Sequence, residues 1–331
     1  VSLISRLLKA NPSAQVSDIL TGSFVIPSAK GVFVGLGSRG VFMGGKGTDI
    51  NVIDYINISS LGNATDFGDL TAATESNGGA SSSTRGLSAG GEITAGRSNI
   101  IEYITMATTG NGTDFGDLIA GGYWIAGTSN ETRALFGSGT ESSGVMSQRM
   151  TYVTIATTGN AINFGNLITS SDYTRAVCSA SSSTRALFGG GAGGSAQYQA
   201  DIEYYTIANT GTSTTFGNLI YARAFFSGGA SSGTRALFAG GQGGSNQYSN
   251  IIDYVTIAST GNAISFGDLS YSMQSGTTST YTRAVHARTG GSVNDMDYTT
   301  IASAGNGSDF GDLTVARTNG MACVSQGHGG L

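Results

Sequence analysis

Few side chains in this chain of 331 residues are equipped for chemistry, and their spacing limits what that chemistry is. The two histidines are His286 and His328. His286 stands where similar stretches carry Phe136, Phe188 and Phe238, which predicts a core position. His328 lies in a glycine-rich tail. Neither has a second ligand at metal-binding spacing, and two histidines in unrelated contexts argue against a Ser-His-Asp arrangement, although triads are defined by geometry. Cys178 and Cys323 are far apart and form neither a disulfide framework nor a zinc pattern. Small buried thiols are expected. Asp66/Asp69, Asp114/Asp117 and Asp309/Asp312 have a D-x-x-D spacing that suits calcium. Other copies of that stretch carry Asn163, Thr215 and Ser265, which favours turn capping. The glycine runs at 189–194 and 240–244 lack the Lys-Ser/Thr of a phosphate loop. The expectation is a protein with no catalytic residues, no cofactor and no metal.

These residues sit inside a repeat. Phe-Gly-Asp/Asn-Leu recurs at Phe67, Phe115, Phe164, Phe216, Phe266 and Phe310, at intervals of 44 to 52 residues. A tyrosine segment precedes each one, at Tyr55, Tyr103, Tyr152, Tyr204, Tyr254 and Tyr298. Before that comes an arginine segment, at Arg39, Arg85, Arg133, Arg185, Arg235 and Arg283. A fixed period of this length marks a repeat architecture. The 53 glycines and the abundance of Ser, Thr and β-branched or aromatic residues favour strands and turns. In the unit spanning 223–269 a first strand is expected from Arg223 and a turn at Ser231-Ser232-Gly233. A second strand follows over 234–241, a third over 251–259 and a fourth over 263–269. Trp124 also falls in a first strand on this reading. The chain is therefore all-β, and residues 31–331 form a six-bladed propeller of four-stranded antiparallel blades. The Phe and Tyr rings should lie between blades.

The copies also compare with one another. The arginine occurs in all six, and a planar donor tying adjacent strands or blades is the simplest role for it. The motif's acidic position is Asp69, Asp117, Asp268 and Asp312 but Asn166 and Asn218, so an acceptor oxygen matters there more than a charge. The third strand carries Asp54, Glu102, Glu203, Asp253 and Asp297, but Thr151 in one copy. Residues 317–327 resemble a further first strand, opening on Arg317 and running through Met321 to Ser325; it is surplus and is expected to complete the first blade beside Gly40–Gly44, with Gly31–Gly35 competing for the same slot.

An arginine opening the unit, a double glycine after the second strand, a tyrosine in the third and an aromatic-to-leucine fourth strand resemble kelch-type propeller repeats. The kelch tryptophan of the fourth strand is phenylalanine here in every copy. The regular Thr-Arg-Ala-Leu-Phe and Phe-Gly-Asp-Leu phrases resemble propeller-bearing virion structural proteins of tailed bacteriophages. That resemblance implies a virion location in the tail (fibre, knob or adaptor) or as a head decoration.

Residues 1–30 stand outside the repeat and hold both prolines and two of the three lysines. Leu3, Ile4, Leu7 and Leu8, then Val16, Ile19 and Leu20, recur at helical spacing. This segment is expected to be a docking arm for another virion protein, with a plug on the propeller as the alternative. A net charge of −5 argues against nucleic acid as a partner. No apolar run is long enough for a membrane span, and no secretory leader pattern is expected. A free lectin-like module, recognising a host-surface glycan or protein through Tyr198, Tyr221, Tyr248 and Tyr271, is the competing class.

Overall fold

A computed structural model describes residues 37–327 apart from 47–49, 138, 169–175, 194–197, 225–228, 245–246, 273 and 291–292, together with Pro27–Ser28 and Gly31–Val32. Six four-stranded antiparallel sheets form a β-propeller, with no α-helix among the described residues. Blade four is representative. Its strands Cys178–Ser181, Arg185–Gly189, Asp201–Thr206 and Thr214–Asn218 pair in chain order. Alternation within the third strand follows the period of two: Ile202 and Glu203 are buried on opposite faces, and Tyr204 is half-buried.

The ring closes without a covalent link. Ala322–Ser325 pairs with Arg39–Met43 through Gly40↔Ser325 and Met43↔Ala322, supplying the innermost strand of blade one. Gly31–Val32, the competing segment, pairs instead with Pro27–Ser28. The compact unit that contains the ring begins at Ser38, and Val1–Gly37 is a unit of its own.

The innermost strands lie further along the chain than the sequence suggests. Arg223–Ala224 forms a short pair with Gln242–Gly243, and blade five's first strand is Ala230–Ser231. Blade six's runs over Gln274–Ser279. Trp124 lies outside any strand, with a φ of 55°. The reason is the axis. Six strands can converge only if their side chains are small. A Cβ on Gly79 would stand 2.6 Å from the Cys323 carbonyl oxygen, and one on Gly127 would stand 2.5 Å from the Gly79 oxygen. Serine is the residue that fits and still satisfies its neighbour. The hydroxyls of Ser81, Ser129, Ser181, Ser231, Ser279 and Ser325 each donate to the carbonyl of the matching serine in the preceding blade, at 2.6–3.3 Å. The circuit runs through all six blades. In three of them the same Oγ also accepts the partner's N–H.

The core lies in the seams. Six apolar clusters each join two neighbouring blades; one brings Leu187, Ile202 and Phe216 of blade four against Phe238, Val255 and Ile257 of blade five. The motif phenylalanines are buried in every copy. They arrive there by a bulge: Asp54 pairs with Asp66 and Ile53 with Gly68, leaving Phe67 as the extra residue that turns into the seam. The motif glycine then receives the next blade. A Cβ at this position would stand 1.7–2.6 Å from the turn of the following blade in all six copies. That turn donates twice to the fourth strand, as in Gly110 N–H to Phe67 O at 2.8 Å and Gly112 N–H to Asp69 O at 2.8 Å. The outer strand of each blade is thereby covered rather than left open to pairing with another chain.

Truncating Phe266 to alanine removes a ring from a seam that cannot collapse onto the space, and should cost about 3–5 kcal/mol in equilibrium unfolding. Gly68→Ala should destabilise as well, because the clash is with the Gly110 backbone at a φ of 147°. Denaturant titration of both variants checks this; an alanine at position 68 that leaves the midpoint unchanged would contradict the close approach.

Candidate functional site

The recurrent polar residues converge on the seams. Each strand-two arginine lays its guanidinium over the tyrosine of its own blade, 4.3–4.7 Å from the ring centroid. The tyrosine meets the motif phenylalanine edge-on, with centroids 5.7–6.2 Å apart. The same arginine donates to the carbonyl just after the third strand of the next blade. Arg39 reaches Met106, Arg85 reaches Ile155, Arg133 reaches Ile207, Arg185 reaches Ile257, Arg235 reaches Ile301 and Arg283 reaches Ile58, at 2.6–3.0 Å. All six guanidiniums are engaged in the same way. The tyrosines are half-buried, not buried like the phenylalanines, because each covers the outer rim of its seam beneath the arginine.

The strand-three acids perform a second inter-blade task. They are buried, and they accept the N–H of the residue that follows the motif leucine in the preceding blade. Thr71 donates to Glu102, Ile168 to Glu203, Ile220 to Asp253, Ser270 to Asp297 and Thr314 to Asp54, at 2.7–3.2 Å. Blade three differs: Thr151 turns its hydroxyl to the Phe136 carbonyl of its own blade at 3.1 Å. At the Asp/Asn position of the motif, the main chain is what is engaged. The N–H of Asp69 donates to Asn111 Oδ1 at 3.1 Å, and four further copies repeat this with Asn160, Asn262, Asn306 and Asn63. The turn asparagine of the next blade, rather than the motif's own side chain, supplies the acceptor oxygen here.

Two residues that the sequence offered only as strand openers turn out to be buried charges. Arg223 meets Asp253 at 3.0 Å and Arg317 meets Asp54 at 2.8 Å, with all four side chains essentially inaccessible. Arg317 also donates to the Gly44 carbonyl. Burial pulls both guanidiniums down from their ordinary range, and the facing carboxylates oppose that. Burial likewise pushes Asp253 up, against the pull of Arg223. The Ala-Arg dipeptide four residues after the motif leucine, present only at Arg223 and Arg317, was the available signal.

The chemistry-bearing residues are held apart. His286 is fully buried between Thr277 Oγ1 at 3.1 Å and Thr299 Oγ1 at 3.0 Å. Burial lowers its pKa to about 3, so it is a neutral core group. Burial also holds the Cys323 thiol protonated, with its pKa pushed up to about 12. Cys178 is buried and Cys323 half-buried, and neither is in a disulfide. Among the described residues no group of three or more His, Cys, Asp and Glu could hold a metal ion, and no helix is long and apolar enough to cross a membrane. His328 lies outside the described residues, as do Leu3, Ile4, Leu7, Leu8, Val16, Ile19 and Leu20.

Of the four loop tyrosines, Tyr271 is buried and donates to the His286 carbonyl at 2.8 Å, which removes it from any surface role. Tyr198 is half-buried beside Trp124, Ala192 and Ala224. Tyr221 and Tyr248 are 59% and 44% exposed. They share one end of the ring with Ile119, Ile168 and Ile220, which follow the motif leucine in three consecutive blades and are all exposed. The matching residues elsewhere are Thr71, Ser270 and Thr314. Ser38, where the ring unit begins, lies at the opposite end, bonded to Ile58 N–H.

The architecture and the seams define the class: a six-bladed β-propeller whose recurrent polar side chains join blade to blade. No family model and no curated protein matches the chain.

Breaking a buried ion pair by removing one partner leaves an uncompensated charge. Arg317→Met should cost about 3–5 kcal/mol, and adding Asp54→Asn should recover part of it; an R317M chain as stable as the parent would show that the pair is idle. The histidine gives a pH signature. Its folded pKa of about 3 lies below the unfolded value of 6.5. Below pH 6.5 the unfolded chain binds a proton that the folded chain does not. Stability is therefore complete above that pH and declines as pH falls toward 3, by at most about 1.4 kcal/mol per unit. Unfolding midpoints of the parent and of His286→Phe, compared across pH 7 to 4, should diverge with that slope; parallel curves would place the histidine in water.

Proposed function

We propose that the protein is a non-catalytic structural component of a tailed-bacteriophage virion, a rigid propeller platform fixed to the particle by residues 1–30. The observation that carries this reading is the way the ring closes. Its six blades are completed by Ala322–Ser325, so nothing N-terminal to Ser38 is needed to finish a sheet. The apolar residues of the arm, Leu3, Ile4, Leu7, Leu8, Val16, Ile19 and Leu20, recur at helical spacing in the sequence, as a docking face for another virion protein would. Burying several such side chains supplies roughly 1.5–3 kcal/mol each before the costs of association. The seams support the platform role, since their guanidiniums and buried acids are committed to neighbouring blades. The phage assignment rests on the style of the repeat. Tail fibre, knob, adaptor and head decoration all fit it.

A second reading, a free glycan- or protein-binding propeller, is favoured by the exposed Tyr221 and Tyr248 at the end of the ring opposite Ser38. Flat aromatic rings of this kind suit sugar faces.

Deleting residues 1–30 should leave a folded, monomeric propeller with an unchanged β-type circular dichroism spectrum, and should abolish incorporation into the particle. Normal incorporation of the truncated chain would move the attachment surface to the blades. Failure of the truncated chain to fold would make the segment a plug.

A further inference from the structure

The seam between blades two and three lacks the strand-three carboxylate that every other seam contains, and it holds a cavity at that place. The N–H of Ile119 is the counterpart of those of Thr71, Ile168, Ile220, Ser270 and Thr314, which are each bound by a buried Asp or Glu. Its own counterpart acid is Thr151, whose hydroxyl is directed to Phe136 O. The cavity lined by Ile119, Thr140 and Thr151 measures about 40 Å³. The matching cavity between blades one and two, where Glu102 is present, measures about 20 Å³. A water-sized group needs about 10–15 Å³ on this measure, so the larger space holds the three heavy atoms of a carboxylate head.

We propose that this seam is a binding site for a short-chain monocarboxylate, whose head takes the place of the missing side-chain acid. Two groups of the lining can donate to it. One is the Ile119 N–H, the counterpart of the amides that the sister acids bind. The other is Thr140 Oγ1, which is buried, lines the cavity and has no hydrogen-bond partner. A hydroxyl of this kind donates as readily as it accepts, and leaving it unpaired is costly. Leu118, Ile125 and Phe136 form an apolar wall for one or two methylene or methyl groups. Two charged groups also line the space, Arg149 and Glu141, which meet at 3.4 Å and are each partly exposed. Arg149 has further N–H groups to offer an anion, and Glu141 is offset by that pairing. The apolar wall disfavours a dianion such as phosphate, which would turn charged oxygens toward Leu118, Ile125 and Phe136. The fold itself shows that a carboxylate is stable at this location: Asp54, Glu102, Glu203, Asp253 and Asp297 are all buried at the equivalent point.

The test uses the full chain at pH 7 with sodium acetate and sodium propionate against sodium chloride at matched ionic strength. The unfolding midpoint should rise saturably with either carboxylate, and the Ile119 amide should shift in a ¹⁵N-labelled sample. Thr140→Val keeps the shape and removes the donor; it should weaken the response about tenfold or more, the loss expected for a hydrogen bond to a charged group. Thr151→Glu installs the side chain used by the sister seams; it should raise the midpoint in chloride and abolish the carboxylate-specific rise. A parent protein that responds to acetate no more than to chloride overturns the proposal, with water alone filling the cavity. So does a carboxylate response that both variants retain, which would place the binding elsewhere. If Thr151→Glu does not fold, the Thr140→Val comparison and the Ile119 shift decide the matter.

Discussion

Convergence of six strands on one axis is the constraint from which the rest of this molecule follows. At that radius the backbones of neighbouring blades approach so closely that even a methyl group at Gly79 or Gly127 would collide with a carbonyl oxygen. Side chains at the axis must be tiny, yet the strands there have neighbours on both sides and polar groups to satisfy. Serine meets both demands, and its hydroxyl spans to the next blade. The resulting closed circuit of hydroxyl-to-carbonyl bonds has no first or last member, since Ser325 of the closing strand donates to Ser279 and Ser81 donates to Ser325. Each bond is worth little by itself, but together they fix the inner strands in a single register. The wider seams outside them can then be filled by rings.

Moving outward, each radial layer uses a different chemistry for the same purpose. Beyond the serines comes the apolar layer, where the bulged phenylalanine of one blade meets the second and third strands of the next. At the rim the arginine holds its own tyrosine by its face and the neighbour's carbonyl by a hydrogen bond. Two of the seams go further and bury an Arg–Asp pair. One of them, Arg317 with Asp54, joins the segment between blade six and the closing strand to blade one. A buried pair is weak as a source of stability but intolerant of a wrong partner. At the non-covalent closure that intolerance favours the correct strand.

The outer layers could be read from the sequence and the innermost one could not. Arginine, tyrosine and the Phe-Gly-Asp-Leu motif announce themselves because large or charged residues rarely keep a fixed period unless a structural unit repeats. The axial serines recur just as faithfully, four residues before Arg85, Arg133, Arg185, Arg235 and Arg283. Ser81, Ser181 and Ser231 open Ser-Ser-Ser or Ser-Ser-Gly runs, where composition points to a turn. That placed Ser231 in a loop and moved the first strand back to Arg223. The sixth serine, Ser325, precedes no arginine in the chain; its partner Arg39 stands on the neighbouring strand, across the closure. The half-buried tyrosines have a similar origin, since period alone cannot separate a seam's centre from its rim.

Repetition also makes departures informative, because five equivalent sites supply a control for the sixth. Ser88 and His286 replace the strand-two phenylalanine in two blades, and each arrives with a polar partner: Asn77 Nδ2 donates to Ser88 at 2.6 Å, and two threonines flank the histidine. Tyr271 adds a hydrogen bond to the carbonyl of that same histidine. Each substitution therefore carries its compensation with it, as buried polar groups must. Thr151 is the departure that does not. Its hydroxyl satisfies its own blade, while the Ile119 N–H and Thr140 Oγ1 keep the polarity of a site built around a carboxylate. The Tyr205 hydroxyl, where sister strands carry Ile, Val or Thr, is also buried without a partner, so what sets the Thr151 seam apart is the cavity beside it, with room for the group that the sister seams supply from the chain.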